Sequence, residues 1–260
     1  MMSQWMTLFG KEMVEMKRNA KWLWVPLVFL ALGIMQPVTT YYMAQIIENM
    51  GGLPEGTVIE IPQPAPEAVL VQTLSQFSSV GILVLVLASM TVVSGERTSG
   101  VAGMIMMKPV SHLSYITAKW AGVLLLTIAS FAAGYGGAWY YTNLLFGAVD
   151  VGRVATSFAV YGLWLAFVVS LTVLLSASLK GMGGIAFLAV ASAMALSIAG
   201  GLFAKYMRWS PSKLADHAGL FLMQGKGGDS FALSLIVTVV LIAALVACSV
   251  RIFRSKSLFA

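Results

Sequence analysis

Residues 231–250, FALSLIVTVVLIAALVACSV, contain no Asp, Glu, Lys, Arg or His. A helix needs roughly 20 apolar residues to cross the hydrocarbon core of a bilayer, so this stretch predicts a transmembrane helix. Cys248 lies inside it and is the only cysteine of the chain, which excludes an internal disulfide. We interpret Cys248 as a small apolar side chain.

The whole chain shares this apolar character. Its 260 residues are 59% hydrophobic and 10% charged, whereas soluble domains carry about 25% charged residues. The net charge of +6 does not indicate nucleic-acid binding, because the basic residues gather at the ends of apolar runs. No short apolar core followed by a small-residue cleavage site precedes these runs, so we expect the chain to be retained whole.

Six runs are long and apolar enough to cross a membrane, which predicts an all-α integral membrane protein. The predicted spans are Trp22–Ile46, Val69–Val93, Tyr115–Tyr141, Val154–Leu179, Gly183–Ala204 and Phe231–Val250. None has an ionisable side chain near its centre, where one charge costs about 3 kcal/mol on insertion scales. Pro26 and Pro37 are expected to kink the first span or to mark its ends.

The distribution of basic residues predicts the orientation, because Lys and Arg favour the cytoplasmic side. With the N-terminus inside, eleven of the 16 Lys and Arg residues are cytoplasmic. The five external ones are Arg153, Lys205, Arg208, Lys213 and Lys226. We therefore predict that both termini are cytoplasmic and that the protein lies in a bacterial or archaeal plasma membrane.

The segments outside the spans complete a single transmembrane domain over residues 1–260. Residues 1–21 predict an amphipathic entry helix on the inner leaflet, because Trp5, Phe9 and Met13 recur at helical spacing. It serves mainly as an anchor in this interpretation, or as a connecting helix that packs beside the coupling segment. The other segments are a Pro/Gly-rich external loop at 49–68, a cytoplasmic link at 94–114, and a partly helical segment at 205–229 that lies in or re-enters the outer leaflet.

The link at 94–114 contains SGERTSGVAGMIMMKPVSH, residues 94–112, the largest cytoplasmic connection between predicted spans. Gly95 and Gly100 permit tight backbone geometry, and Glu96 and Arg97 are expected to make charged contacts at the membrane surface. The apolar VAGMIMM predicts a short helix that rests on the leaflet or enters a groove, for which methionines are adaptable. By composition alone, a polar loop with a positive-inside signal fits equally well.

The order Glu96, Gly100, an apolar MIMM, then Lys108-Pro109-Val110-Ser111 resembles the cytoplasmic link of the permease subunit of the ABC-type-2 exporter family. In that family the link is a coupling helix that docks into a separate ATPase subunit. The resemblance implies an ATPase-coupling interface here, formed by Glu96, Arg97, Gly100, Met106, Met107, Lys108, Pro109 and Ser111.

The same resemblance implies the partners and the energy source. Two permease chains, identical or related, would assemble with two cytoplasmic P-loop ATPases that bind ATP and Mg²⁺, so this chain itself would need no cofactor. The substrate would be exported across the plasma membrane. The alternative is a non-transporting membrane sensor or immunity protein whose link docks a cytoplasmic partner, and ATP hydrolysis by that partner distinguishes the two.

The sequence lacks the patterns of an enzyme. The GKGG at 225–228 lacks the hydroxyl residue and the upstream glycine of a P-loop. His112 and His217 lie in different links without a ligand cluster, so we predict no metal site and no catalytic site. The missing charge at mid-membrane also disfavours an ion-coupled carrier.

Polar and small residues within spans allow two interpretations each. Gln72, Gln76 and Ser79 share one face of the second span and could line a translocation path, or could form interhelical hydrogen bonds. Two groups of small residues permit close helix approach or mark a subunit interface. These small residues are Ala133, Gly134, Gly136 and Gly137, and the pair Gly200-Gly201.

Overall fold

The structure is a computed structural model that describes residues 2–43, 45–46, 63–108 and 110–257. Most of the predicted external loop, and Pro109 of the predicted coupling interface, lie outside these residues. The described chain is helical, and between its helices it forms short turns and extended connections. The helices in chain order are α1 (Met2–Arg18), α2 (Lys21–Tyr41), α3 (Pro66–Gln76), α4 (Ile82–Ser89), α5 (Ser94–Thr98), α6 (Val101–Met106), α7 (His112–Leu145), α8 (Val151–Ser178), α9 (Met182–Leu202), α10 (Lys213–Gln224) and α11 (Phe231–Ser257).

The six predicted membrane spans are confirmed as helices long and apolar enough to cross a bilayer. They are Lys21–Tyr41, Pro66–Thr98, His112–Leu145, Val151–Ser178, Met182–Leu202 and Phe231–Ser255. Both prolines of the first span lie inside α2, so neither ends it.

Several predicted boundaries are wrong by a few residues, because capping groups rather than hydropathy set the helix ends. The second span begins at Pro66, a favourable first-turn residue, so residues 66–68 belong to α3 and not to the external loop. The third begins at His112, since the Ser111 hydroxyl accepts a hydrogen bond from the Ser114 N–H at 3.0 Å. The Asp150 carboxylate caps α8 in the same way, accepting from the Arg153 N–H at 2.9 Å.

A π-helical turn, Phe77–Gly81, interrupts the second span between α3 and α4. The Phe77 ring is buried and stacks on Phe29 of α2 with centroids 5.2 Å apart. The hydroxyls of Ser78 and Tyr161 of α8 are 2.9 Å apart. The irregular turn is therefore fixed by both neighbouring helices. Such turns are often found at functional sites.

Helices α2 and α7 form the closest pair in the bundle. A Cβ on Gly33 would lie 1.9 Å from the Gly134 carbonyl oxygen, and one on Gly134 would lie 2.4 Å from the Phe29 carbonyl oxygen. The two backbones therefore touch directly, which confirms that Gly134 permits close approach. Gly137 also faces α2, whereas a Cβ on Gly136 would meet nothing within 4 Å.

Both described termini lie at the same end of the bundle, called here the terminal end. It contains α1, α5, α6 and the last turns of α11, where Phe253 stacks on Tyr115 of α7 with centroids 4.8 Å apart. The other end, called the distal end, contains the start of α8 and the helix α10. The predicted helical content of 205–229 is thus present as α10, whose buried residues are Leu214, His217, Ala218, Gly219 and Leu222.

Candidate functional site

A cluster of buried charged side chains lies at the terminal end. The Lys119 ammonium is 2.8 Å from a carboxylate oxygen of Glu12 and 2.8 Å from one of Glu96. Lys11 pairs with the same Glu96 oxygen, and the Tyr115 hydroxyl donates to the other at 2.5 Å. We call these five residues the ion cluster: Lys11, Glu12, Glu96, Tyr115 and Lys119.

The cluster joins three elements that are remote in sequence: α1, α5 and α7. Glu12, Glu96 and Lys119 are only 4%, 7% and 1% exposed. Buried charges are tolerated only when they are paired and hydrogen-bonded, so each of these side chains requires the others. Removal of one partner would leave an uncompensated charge, and the three elements therefore behave as one unit.

Apolar contacts bring α1 across α7 at this point. A Cβ on Gly122 would lie 2.8 Å from the terminal methyl of Met16, so glycine leaves room for this methionine side chain. The Trp5 indole N–H also donates to the Thr117 hydroxyl at 3.1 Å. The entry helix is therefore packed on the bundle by one face. Met6 and Val14 stay exposed on its other side, which suits a helix that also lies on a membrane surface.

The edge of the cluster is more exposed and carries shifted pKa values. Burial opposes the charge of Lys11, but its hydrogen bond to Glu15 and the charge of Glu12 outweigh this and raise the pKa of Lys11 above 10.5. Burial likewise opposes the charge of Glu15, yet the hydrogen bond from Lys11 dominates and lowers the pKa of Glu15 below 4.5. Both groups are thus charged at neutral pH.

Three carboxylates of this region, from Glu12, Glu15 and Glu96, place ligand oxygens within 4.8 Å of one another. The ammonium groups of Lys11 and Lys119 contact oxygens of all three carboxylates and neutralise two of their three negative charges. The arrangement is therefore that of an ion-pair cluster, whose chemistry is to hold helices together.

Glu96 makes charged contacts as predicted, but it makes them inside the bundle, because its carboxylate is buried and pairs with Lys11 and Lys119. The burial follows from pairing with Lys119, which lies 23 residues further along the chain. Arg97 is half-buried and donates to the Ala177 carbonyl of α8 at 2.7 Å. Ser111 serves as the cap of α7.

The second span is also fastened to α8 just before the link. The Ser176 hydroxyl donates to the Met90 carbonyl at 2.7 Å. The same oxygen accepts from the backbone N–H groups of Val93 and Ser94 at 3.1 and 3.0 Å. Ser176 was not singled out from the sequence, since one serine near a span end carries no distinguishing signal.

The exposed part of the link is an apolar surface on α6. Met104 is 68% exposed and Met107 87%, and Val101 lies on the same side. We call these three residues the methionine face. Gly100, at φ +77°, turns the chain sharply before α6 and so determines which side of the short helix is exposed.

The methionine face differs from the predicted interface in its membership. Of the predicted interface residues, Met107 belongs to the methionine face and the exposed Lys108 adjoins it. Met106 is partly buried and packs against the core. Met104 was missed. Its exposure depends on the helical phase that Gly100 sets, and hydropathy does not report that phase.

The polar side chains of the second span form an exposed stripe with a glutamine of α2. The Gln36 side-chain amide donates to the Gln72 carbonyl oxygen at 2.9 Å. Gln72 and Ser79 are exposed on an otherwise apolar surface, and the Gln76 side-chain oxygen is buried without a hydrogen-bond partner among the described residues. We call Gln36, Gln72, Gln76 and Ser79 the amide stripe; Gln36 was missed, although a polar residue inside a predicted span was a visible signal.

Comparison with known proteins supports the transmembrane assignment. No family model matches the sequence. The chain is 36% identical over 249 residues to a protein of Bacillus subtilis (strain 168) described as "Uncharacterized transmembrane protein YxlG", and the alignment covers 96% of each chain. The chain therefore belongs to the same family of multi-pass transmembrane proteins as YxlG.

Proposed function

We propose that the protein is the permease subunit of an ATP-binding-cassette exporter of the ABC-type-2 kind. In this proposal the terminal end is cytoplasmic, because eleven of the 16 Lys and Arg residues belong to it. A separate P-loop ATPase binds ATP and Mg²⁺, and the chain itself is not an enzyme. It converts the motion of the ATPase into export of a substrate across a bacterial or archaeal plasma membrane.

The methionine face is the observation that carries the proposal. It is an apolar, water-exposed surface on a short helix at the end of a membrane protein, and methionine-rich surfaces are suited to partner binding. Because α5 is linked through Glu96 to α1 and α7, a displacement of α6 that moves α5 would also act on these two helices. A coupling helix needs such a mechanical link between the surface that binds the ATPase and the transmembrane helices.

The amide stripe supports a second permease chain. The Gln36–Gln72 hydrogen bond uses only part of the hydrogen-bonding capacity of these amides, and leaving the rest against lipid is unfavourable in hydrocarbon. A second copy or a related chain placed against this stripe would cover Gln72 and Ser79 and leave a polar path between the two chains. The substrate would then pass between two permease subunits.

The first test is purification of the tagged chain from its native membrane in mild detergent, with mass spectrometry of the proteins that accompany it. We expect a stoichiometric soluble chain with a P-loop, and ATPase activity in the complex. The double variant M104S/M107S should lose this partner, whereas the control M223S, a methionine 49% exposed at the distal end, should retain it. A partner without a nucleotide site would contradict the exporter proposal and favour the sensor alternative.

The orientation has its own test in a Cys248→Ser background. A cysteine introduced at Ser99 marks the terminal end, and one introduced at Lys226 marks the distal end; both positions are exposed. A membrane-impermeant maleimide added to intact cells should label K226C and not S99C. The reverse labelling would place the termini outside and would sink the coupling proposal.

A further inference from the structure

The distal end contains a polar cavity of about 310 Å³ between α10 and the start of α11. Its charged and polar lining consists of Arg208, Lys213, Asp216, His217, Asp229 and Ser230. Ligand pockets in proteins generally measure about 300 to 1,000 Å³, so this cavity suits a small polar group rather than a whole large ligand.

His217 is the buried polar group of the cavity wall. Its side chain is 4% exposed, and its Nδ1 accepts a hydrogen bond from the Gly228 N–H at 3.2 Å. The neutral ring therefore carries its proton on Nε2, which has no partner among the described residues. A buried donor without an acceptor is uncommon in folded proteins and indicates a group that a ligand can satisfy.

Two charged side chains of opposite sign at the same cavity also lack partners among the described residues. Lys213 and Asp216 neutralise each other at 2.8 Å. Within the described ranges, by contrast, neither the Arg208 guanidinium nor the Asp229 carboxylate makes a hydrogen bond or an ion pair. With His217 neutral, the cavity carries no net charge but offers one free cation and one free anion.

The surroundings place this cavity at the level of lipid headgroups. The segment that leads into it exposes Phe203, Tyr206 and Trp209, which are 56%, 77% and 42% accessible. Lys205 lies among them and is exposed too. Aromatic and basic side chains in this combination are enriched where a transmembrane protein crosses the membrane–water interface.

We propose that the cavity binds the headgroup of a phospholipid that carries both a phosphate and a primary ammonium, as phosphatidylethanolamine does. The phosphate accepts hydrogen bonds from Arg208, and the ammonium pairs with Asp229. A purely anionic headgroup would satisfy Arg208 but would be repelled by Asp229. The matched pair of open charges therefore selects a zwitterion, and this conclusion does not depend on the exporter proposal.

The test uses the full chain, purified in detergent and exposed to vesicles that contain equal amounts of phosphatidylethanolamine and phosphatidylglycerol. Native mass spectrometry counts the lipid of each kind that is retained. The unmodified chain should retain phosphatidylethanolamine preferentially. D229N should lose this preference, and R208Q should retain either lipid about tenfold more weakly, the effect of losing one charge-assisted contact.

Controls keep the outcomes distinct. K205Q removes an exposed cation of the same segment that does not line the cavity, and it should behave as the unmodified chain. Equal retention of both lipids by the unmodified chain, or R208Q indistinguishable from K205Q, would overturn the proposal. Displacement of the lipid by soluble phosphoethanolamine at the same concentration would also overturn it, because the site would then be one for a soluble ligand.

Discussion

The two ends of the bundle treat their charged residues in opposite ways. At the terminal end, Glu12, Glu96 and Lys119 are buried and fully paired with each other. At the distal end, Arg208 and Asp229 line an open cavity and have no partner among the described residues. Charges that satisfy each other hold helices in place, whereas charges left open are available to a ligand. The paired charges of the terminal end thus favour rigidity, whereas the unpaired charges of the distal end suit the lipid binding proposed above.

The largest effect on stability is expected from removing the central cation of the ion cluster. Lys119→Met leaves the buried carboxylates of Glu12 and Glu96 with the partly exposed Lys11 as their one remaining cation in the ion cluster, and we expect it to destabilise the protein by about 3 kcal/mol. Thermal unfolding of the detergent-purified protein measures the effect. The triple variant E12Q/E96Q/K119M, which removes all three charges, should recover most of the stability. A stable single variant would show that the cluster is not the joint between α1, α5 and α7.

The next test concerns the direct backbone contact of α2 and α7. Gly134→Ala places a Cβ 2.4 Å from the Phe29 carbonyl oxygen, so the helices must separate. We expect a loss of about 1–3 kcal/mol in the free energy of unfolding. Gly136→Ala is the matched control, since its Cβ would meet nothing within 4 Å. Equal effects of the two substitutions would contradict direct backbone contact at Gly134.

A smaller effect is expected at the exposed edge of the ion cluster. Lys11 is 35% exposed, and its pairing with Glu15 is partly screened by solvent. Lys11→Gln should therefore cost about 1 kcal/mol or less, and the difference should shrink when the salt concentration is raised. Lys17→Gln, on an exposed residue of the same helix, should cost nothing measurable. A loss as large as that of Lys119→Met would mean that Lys11, not Lys119, is the central cation.

The smallest expected effect is the pH dependence of local stability at the distal end. Burial lowers the pKa of His217 below 6.5 in the folded protein, although the nearby Asp216 acts in the opposite direction. Well above pH 6.5 the ring is neutral in both the folded and the unfolded form, so this residue adds no pH dependence there. Below pH 6.5 the unfolded form binds more, so stability falls as the pH drops through the folded pKa.

Hydrogen exchange at pH 7.5 and pH 5.5, corrected for the intrinsic rate, measures this difference locally. Exchange in α10 should rise at the lower pH, whereas exchange in α1 should not change. Lys11 and Glu15 of α1 keep their charges in this range, because the pKa of Lys11 lies above 10.5 and that of Glu15 below 4.5. His217→Phe should abolish the response of α10. A response that survives this substitution would assign the pH dependence to another group.

The six spans were predictable because span detection needs only local hydropathy, and the chain avoids charge within each run. The helix ends were less predictable, since Pro66 and Ser111 set them by capping. The π-helical turn at Phe77–Gly81 left no signal in the sequence, because it depends on packing against α2 and α8.

The sequence indicated where the link with the methionine face lies along the chain, but not which of its side chains face the interior. The resemblance directed attention to residues 94–111, where the methionine face lies. It did not reveal that Glu96 faces inward, because that result requires Lys119 and Glu12, which come from two other helices. The distal cavity was not foreseen either. Its charged and polar residues span Arg208 to Ser230, and they come together where the chain folds back between the end of α9, α10 and the start of α11.

The ion cluster also constrains how the protein is made. Glu12 and Glu96 both precede Lys119 in the chain, so both carboxylates leave the ribosome before the lysine does. The third span carries a buried cation near its start, and both carboxylates that pair with it are already synthesised when that span is inserted. We expect a chain that lacks the amino-terminal helix to insert its third span less efficiently.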